Sequence, residues 1–388
     1  MENCVEAMDW STDAIPGVSL AVKAAAEAAD DVDRRSRFPS EAIEALKDAK
    51  LLSCSLPRRL GGASYGIAQL AAVARALGSG CSSAAMVFAM HHIQAMSLTR
   101  HGQSSPIEEL IAKIAAQESL LASATTEITT GGDVRSSTCA IVIDGDNVIL
   151  EKNAPVISYA EDADYIFTTA RRGSDSPPTD QVLLVCPVGD TTLEKTTSWD
   201  VMGFRGTCSP GYILRTRTSR ANLIPAEYAT ISGATMLPAA HTLWSAVWLG
   251  IADAAMSKAR NATREAVRKA GGRPIPQAAK LAELTLVHQN FESMVTGEVV
   301  RFGEFADRDR SEPTIGFTIA MNNLKLASSL AVVEVAVGAL QLIGISGYRE
   351  DHPNSMSRLI RDCFAPQLMV SNDRIRTNNA QLVLAHRE

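Results

Sequence analysis

The hydrophobic period of this chain changes twice along its length, and that confines it to few architectures. From about 18 to 100 the apolar residues recur at helical spacing. Near Leu120 the pattern turns into short β-branched runs, namely LLASATT, NVILEK, DYIFTTAR, QVLLVCPV and GYILRTRT. Clusters of Gly, Asp, Ser and Pro such as 173–178 separate these runs. From about Ala226 the helical spacing returns and holds nearly to the end. The order predicts an α+β chain, mostly α, in three parts: an α-helical domain over 1–118, a β domain over 119–225 and a helical bundle over 226–388.

Length and composition agree with that division. A chain of 388 residues exceeds what one core usually organises, so two or three subdomains are expected. Hydrophobic content is 46% with only 5% aromatics, which suits a mostly helical protein. Net charge is −6 and no basic block occurs, so neither nucleic acid nor an anionic membrane is an expected partner. The seven cysteines are odd in number, scattered and without a C-x-x-C pair, a pattern of reduced thiols in a cytoplasmic enzyme with no metal framework. MENCVEAMDWST lacks a basic stretch followed by an apolar one, so no signal peptide is read. The apolar stretches 243–255 and 326–345, together with the residues leading into the second, carry Asp253, Asn322, Asn323, Lys325 and Glu334, and they read as bundle helices.

Local signals place the helices. Ser40 is a candidate N-cap for EAIEALKDAKLL, the loop PRRLGGASYG interrupts the period, and Gly102 is the expected end of the helix that carries His91 and His92. Leu243, Val247, Gly250, Ile251 and Ala254 form one stripe, with Trp244 and Trp248 beside it. GGRPIPQ and EPTIG divide the last part into successive helices.

Near the C-terminus stand Gly347-Tyr348, Arg358, Arg361-Asp362 and, eight residues past that Asp, Val370. Pro57 with Gly61-Gly62, the run Thr126-Glu127-Ile128-Thr129-Thr130-Gly131-Gly132-Asp133, Val156-Ile157-Ser158-Tyr159 and Met202-Gly203-Phe204-Arg205-Gly206-Thr207 precede them in order. In this order the elements resemble those of the acyl-CoA dehydrogenase superfamily of flavoproteins. The resemblance implies an N-terminal helical domain, a middle β-barrel-like domain, a C-terminal four-helix bundle and FAD as cofactor. It also implies flavin contacts at Thr126, Gly131 and Ser158, and FAD contacts at Arg264, Gln341, Gly344 and Asn372. The family's homodimers or homotetramers and its electron partners, an electron-transfer flavoprotein or a flavin reductase, follow as expectations. No G-x-G-x-x-G follows a strand, so a Rossmann mode of FAD binding is not expected.

The departures bear on chemistry. The family's catalytic glutamate falls at Val370, and valine has no titratable group with which to take a proton. Some relatives carry the base on the first bundle helix, where this chain has His241, a candidate base or a helix-start histidine bonded to backbone. Asp373 is a second candidate or a structural turn. His91 and His92 are candidates for the substrate pocket or ordinary core histidines, and Trp244 is a candidate pocket wall. Arg361-Asp362 reads as architectural. Ile128, Gly132 and Ile345 replace a proline, a serine and a glycine of the pattern.

Three functions compete on these grounds. The first is an FAD-dependent enzyme that desaturates an acyl thioester with His241 as base. The second is a flavin monooxygenase of the same fold supplied with reduced flavin, and the third is a catalytically silent subunit whose partner carries the base.

Overall fold

The computed structural model of the protein describes residues 8–129, 133–273, 275–308 and 312–386. Five helices come first: α1 Val18–Arg35, α2 Ser40–Asp48, α3 Ile67–Gly80, α4 Ser82–His101 and α5 Ser105–Gln117. Ser40 does not cap α2 through its side chain; the carbonyl of Pro39 accepts the N–H groups of Ala42 and Ile43 at 3.1 and 3.2 Å instead. Gly102 does end α4. That helix is buried on nearly every face, because α3, the strands and the C-terminal bundle all pack on it. The six described cysteines are free thiols, and Cys4 lies outside the described residues.

The β part forms two sheets, into which the expected barrel resolves. One is three-stranded, with β1 (Leu121–Ala124) parallel to β4 (Tyr165–Arg171) and β5 (Gln181–Pro187) antiparallel to β4. The other is four-stranded and antiparallel in the order β2-β3-β7-β6, from β2 (Val142–Asp144), β3 (Asn147–Ala154), β6 (Thr191–Lys195) and β7 (Tyr212–Ser219). Along β3 and β7 burial alternates residue by residue, so one face meets the core and the other water. β4 and β5 are buried on both faces, as their continuous apolar runs require.

A buried ion pair joins the sheets. Lys152 of β3 places Nζ 3.2 Å from Oε1 of Glu127, and also donates to Thr169 O of β4 at 2.6 Å. The Glu127 carboxylate accepts from the backbone of Thr138 and Cys139 at 2.9 and 3.1 Å, pinning the connection from β1 to β2. Burial alone would raise this carboxyl; the Lys152 ammonium and these donors outweigh it and bring it to about 2.

The C-terminal part is a bundle of α7 (Leu237–Lys269), α8 (Pro276–Ala306) and α9 (Ile315–Ile343), preceded by the single turn α6 (Tyr228–Ile231). It is followed by α10 (Ile345–Tyr348), α11 (Ser357–Leu368) and α12 (Asn372–Ala385). α3 of the N-terminal part crosses α7 with backbones touching: a Cβ on Gly78 would lie 2.6 Å from the Val247 carbonyl, and one on Gly250 would strike the Arg75 carbonyl. α9 is less enclosed than its apolar sequence suggests. An 18-residue window of it has a mean hydropathy of 1.9 and it has the length to cross a membrane, yet it packs on one side against α7, α8, α11 and α12 and leaves Leu330 46% exposed. Beyond it Ile345 and Tyr348 are also exposed.

Arg361 and Asp362 serve the architecture separately. Arg361 pairs with Asp33 of α1, and Asp362 accepts from Phe204 N at 2.6 Å and from Ser82 Oγ of α4. The closing stretch therefore ties α11 to all three parts of the chain.

Candidate active site

Between the β part and the bundle lies a cavity of about 420 Å³. Asp133, Val134, Arg135, Thr179 and Gln181 line its β side, and Tyr228, Ser232, Gly233, Leu237 and His241 come from the start of the bundle. Thr318 and Asn322 of α9, then Val370, Arg374, Ile375 and Asn378, complete the wall. Arg135 and Arg374 put two guanidinium groups in this wall, and Arg135 Nη1 donates to Asn378 Oδ1 at 3.3 Å.

The chain reaches His241 through an irregular turn. Residues Ser232–Met236 form a π-helical segment between α6 and α7. Pro238, just beyond it, has no N–H to offer the turn before, and a wider turn absorbs that loss. Thr242 Oγ1 then donates back to Pro238 O at 2.8 Å. His241 is 2% exposed, and its Nδ1–H donates to Met321 O of α9 at 3.1 Å. That bond fixes the tautomer, so Nε2 carries the lone pair. Among the described residues Nε2 has no partner. Burial, aided by the charge of Lys325, brings the imidazole down to about 4, so it is neutral near pH 7.

Val370 stands in the same wall, with φ +46. A β-branched residue in the left-handed region is strained, and the surroundings must hold it there. Lys325 of α9 does so: its Nζ donates to Val370 O at 2.7 Å and to Asn372 Oδ1 at 2.6 Å. Asn372 Nδ2 in turn donates to Ser329 Oγ at 3.0 Å. Sequence reasoning singled out neither Lys325 nor Asn322 as a site residue; the available signal was a lysine inside a strongly apolar helix.

The sequence-predicted site residues separate into groups. His241 and Val370 meet in the cavity. His91 and His92 do not, and their placement in the substrate pocket is corrected. His91 accepts from Leu121 N on Nδ1 at 3.1 Å and donates from Nε2 to Leu52 O at 2.7 Å. His92 donates from Nε2 to Leu51 O at 3.0 Å and accepts from Ser55 Oγ on Nδ1 at 2.8 Å. Both rings are wholly buried, with every nitrogen used to fasten the 51–55 loop and β1 to α4. Trp244 packs half-buried against the core outside the cavity lining, which corrects its assignment as pocket wall. Asp373 is 89% exposed and pairs with Arg376 at 2.9 Å, a surface turn.

Of the expected cofactor residues, Ser158 is the best prepared. Ile157 N bonds Pro210 O and Tyr159 N bonds Thr207 O, laying 157–159 along 207–210, while Tyr159 Oη anchors to Leu121 O. Ser209 Oγ lies 2.8 Å from Ser158 Oγ and 2.9 Å from Thr207 Oγ1. This relay supplies Ser158 with a hydrogen bond from behind and leaves its own O–H free to donate outward. Thr126 is half-buried just past the end of β1, and Gly131 lies outside the described residues. Arg264, Gln341 and Gly344 are exposed, and Arg264 is about 35 Å along α7 from His241 by helical rise. Both ends of the Asn372 amide are bonded within the chain, to Lys325 and Ser329.

The helical part packs against both the two-sheet part and the bundle, and the cavity lies between the last two. The family model for the acyl-CoA dehydrogenase N-terminal domain matches residues 19–118. A cyclohex-1-ene-1-carbonyl-CoA dehydrogenase of Geobacter metallireducens is 24% identical over 366 residues, covering 92% of this chain and 92% of the relative. A probable acyl-CoA dehydrogenase, FadE25, of Mycobacterium tuberculosis is 24% identical over 92% of this chain and 90% of its own. The family-model match and these relatives support membership of the acyl-CoA dehydrogenase superfamily. Among solved structures, TdsC from Paenibacillus sp. A11-2 with FMN and indole superposes with a TM-score of 0.85 at 16% identity, covering 97% of this chain and 98% of that one. A nitrososynthase from Micromonospora carbonacea var. africana gives 0.81 at 20% identity, covering 96% of each.

Proposed function

We propose that the protein is a flavin-dependent oxidoreductase that desaturates a small acyl thioester, with His241 Nε2 as proton acceptor in place of a carboxylate. The observation that carries this reading is the unpartnered Nε2 lone pair of His241 in the wall that also holds Val370. Among the described residues of that wall the one carboxylate is Asp133, which sits on the β side with Arg135. Removal of the α-proton then falls to the neutral imidazole, held in the productive tautomer by Met321 O. Arg135 and Arg374 suit the anionic end of a thioester cofactor.

Ser158 and Thr126 would hold the ring of FAD, and Arg264, Gln341 and Gly344 of a second copy would meet its distal part. That arrangement requires a homodimer or homotetramer, and the exposed Leu330, Ile345 and Tyr348 supply apolar surface for one. Bound FAD supplies acceptance of the hydride from the β-carbon, after which an electron-transfer flavoprotein or comparable partner is needed to reoxidise it.

The test is anaerobic mixing of the flavin-loaded protein with acyl thioesters. Bleaching of the flavin, together with exchange of an α-deuterium label into water that is lost in His241→Ala, is the expected result. A flavin that stays oxidised with every thioester overturns it. A second reading, oxygenation of a small molecule with reduced flavin from a reductase, draws on the low basicity of His241 and the missing carboxylate at Val370. Oxygen uptake with formation of a hydroxylated product distinguishes it, and no oxygen dependence removes it.

A further inference from the structure

Lys325 is 0% exposed, yet its two acceptors are neutral: the Val370 carbonyl at 2.7 Å and the Asn372 amide oxygen at 2.6 Å. Burying an ammonium without a carboxylate is costly, and an apolar residue would suit this position of α9 without that cost. The site is electrostatically unfavourable on other counts as well. Asn372 opens α12, whose N-terminus carries a partial positive charge, and Arg376 faces the same region. A group kept at such expense is doing something the apolar residue could not.

Its neighbours show what that is. Both acceptors belong to the turn that carries Val370 in the left-handed region, and Val370 lines the cavity. Met321, whose carbonyl fixes the His241 tautomer, lies one helical turn before Lys325 on α9. The lysine thus touches one wall residue directly and sits a turn from the anchor of the other.

We propose that Lys325 is a positioning residue of this cavity, which clamps the strained Val370 turn through two donated hydrogen bonds and sets its charge beside His241, whose Nε2 has no partner among the described residues. This rests on the reading of His241 as proton acceptor. The groups facing Lys325 are His241 from α7, Arg376 from α12, and its acceptors, the Val370 carbonyl and the Asn372 amide, with Ser329 of α9 bonded to that amide. Burial first, and Arg376 second, bring the lysine to about 7. Near neutral pH it therefore exchanges its proton readily, and a negative charge developing on bound substrate holds that proton on.

The test uses the full-length, flavin-loaded protein with labelled histidine and lysine, followed by NMR across pH, with His241→Gln assigning the His241 signal. Lys325→Met is expected to raise the His241 midpoint by about one unit or more and to lower kcat at least about tenfold with a smaller change in KM. Asn372→Asp keeps an acceptor in place and gives the lysine a counter-ion, so the Lys325 titration should rise by about one to three units. The alkaline limb of kcat should move with it. Unchanged His241 and Lys325 midpoints in these variants overturn the proposal, as does a wild-type kcat in Lys325→Met. If Lys325→Met fails to fold, Asn372→Asp decides alone: an unmoved lysine titration refutes the clamp. Shifted midpoints combined with full activity of His241→Ala would support the clamp while removing His241 as proton acceptor, so the two ideas fail separately.

Discussion

Arg75 of α3 and Asp253 of α7 meet through a forked pair of hydrogen bonds, 2.6 Å from Nε and 3.1 Å from Nη2, across the seam between the N-terminal helices and the bundle. Glu292 takes Arg75 Nη1 at 2.6 Å, and His288 Nε2–H donates to Asp253 at 2.7 Å. Arg75 also lies over the Trp10 ring, 4.8 Å from its centroid. Asp253→Ala leaves a largely buried guanidinium half-satisfied, so it should destabilise the protein by about 3 kcal/mol. Urea unfolding with and without the substitution measures this, and a loss within experimental error of zero would mean that the network is idle.

Gly250 lies at the same seam. Any Cβ there meets the Arg75 carbonyl, which is backbone and cannot swing aside. Gly250→Ala should therefore force α3 and α7 apart and cost about 2–3 kcal/mol, although alanine is the better helix former. A neutral or stabilising outcome in thermal unfolding would show that the two helices have slack.

The legible and illegible parts of the sequence divide along range of interaction. β3 and β7 declared themselves through alternation, and α7 through its stripe, because both patterns are local. His241 was found because a position in the chain pointed to it. His91 and His92 misled, since an imidazole on an apolar helix reads the same whether it faces a cavity or a backbone carbonyl. What decides is a loop about 40 residues away whose carbonyls they bond. Lys325 was visible as a charge in an apolar helix, but its acceptors lie on a turn beyond α11 and only folding brings them together. Asn372 likewise meets its partners Lys325 and Ser329 only on folding.

Acid should unfold this protein through its buried histidines and the Glu127 carboxylate. His91 and His241 are brought to about 4 by burial, and burial also holds His92 well below its ordinary value, so the folded state refuses protons that the unfolded chain accepts near 6.5. A depressed pKa means that stability is present above the unfolded value and falls as pH drops towards the folded one. Each of the three should contribute a slope of about 1.4 kcal/mol per pH unit between about 6 and 5. Glu127, at about 2 when folded, adds its loss below about 4.5. Urea midpoints across pH test this, and a flat profile from 7 to 5 would show that these rings are open to water.

Glu127→Gln probes the other end of the same pair. The substitution keeps the shape but removes the charge that offsets the wholly buried Lys152 ammonium. A loss of about 3–5 kcal/mol is expected, partly reversed in a Glu127→Gln, Lys152→Met double variant, where neither charge is left alone. Additive losses in that cycle would mean that the two residues do not depend on each other.

Val370 offers a direct exchange of roles with His241. Both line the cavity, and valine is held at φ +46, where an unbranched side chain is less strained than a β-branched one. Val370→Glu should therefore fit the turn, and the nearby Lys325 would favour the ionised carboxylate against the burial that opposes it. If proton removal is the task of this wall, His241→Ala should lose α-deuterium exchange by about 100-fold or more. Adding Val370→Glu to that variant should restore at least a tenth of it, on the order of a general base regained. The exchange assay reads this without requiring complete turnover, and an unrescued double variant that still binds flavin would place the proton acceptor elsewhere.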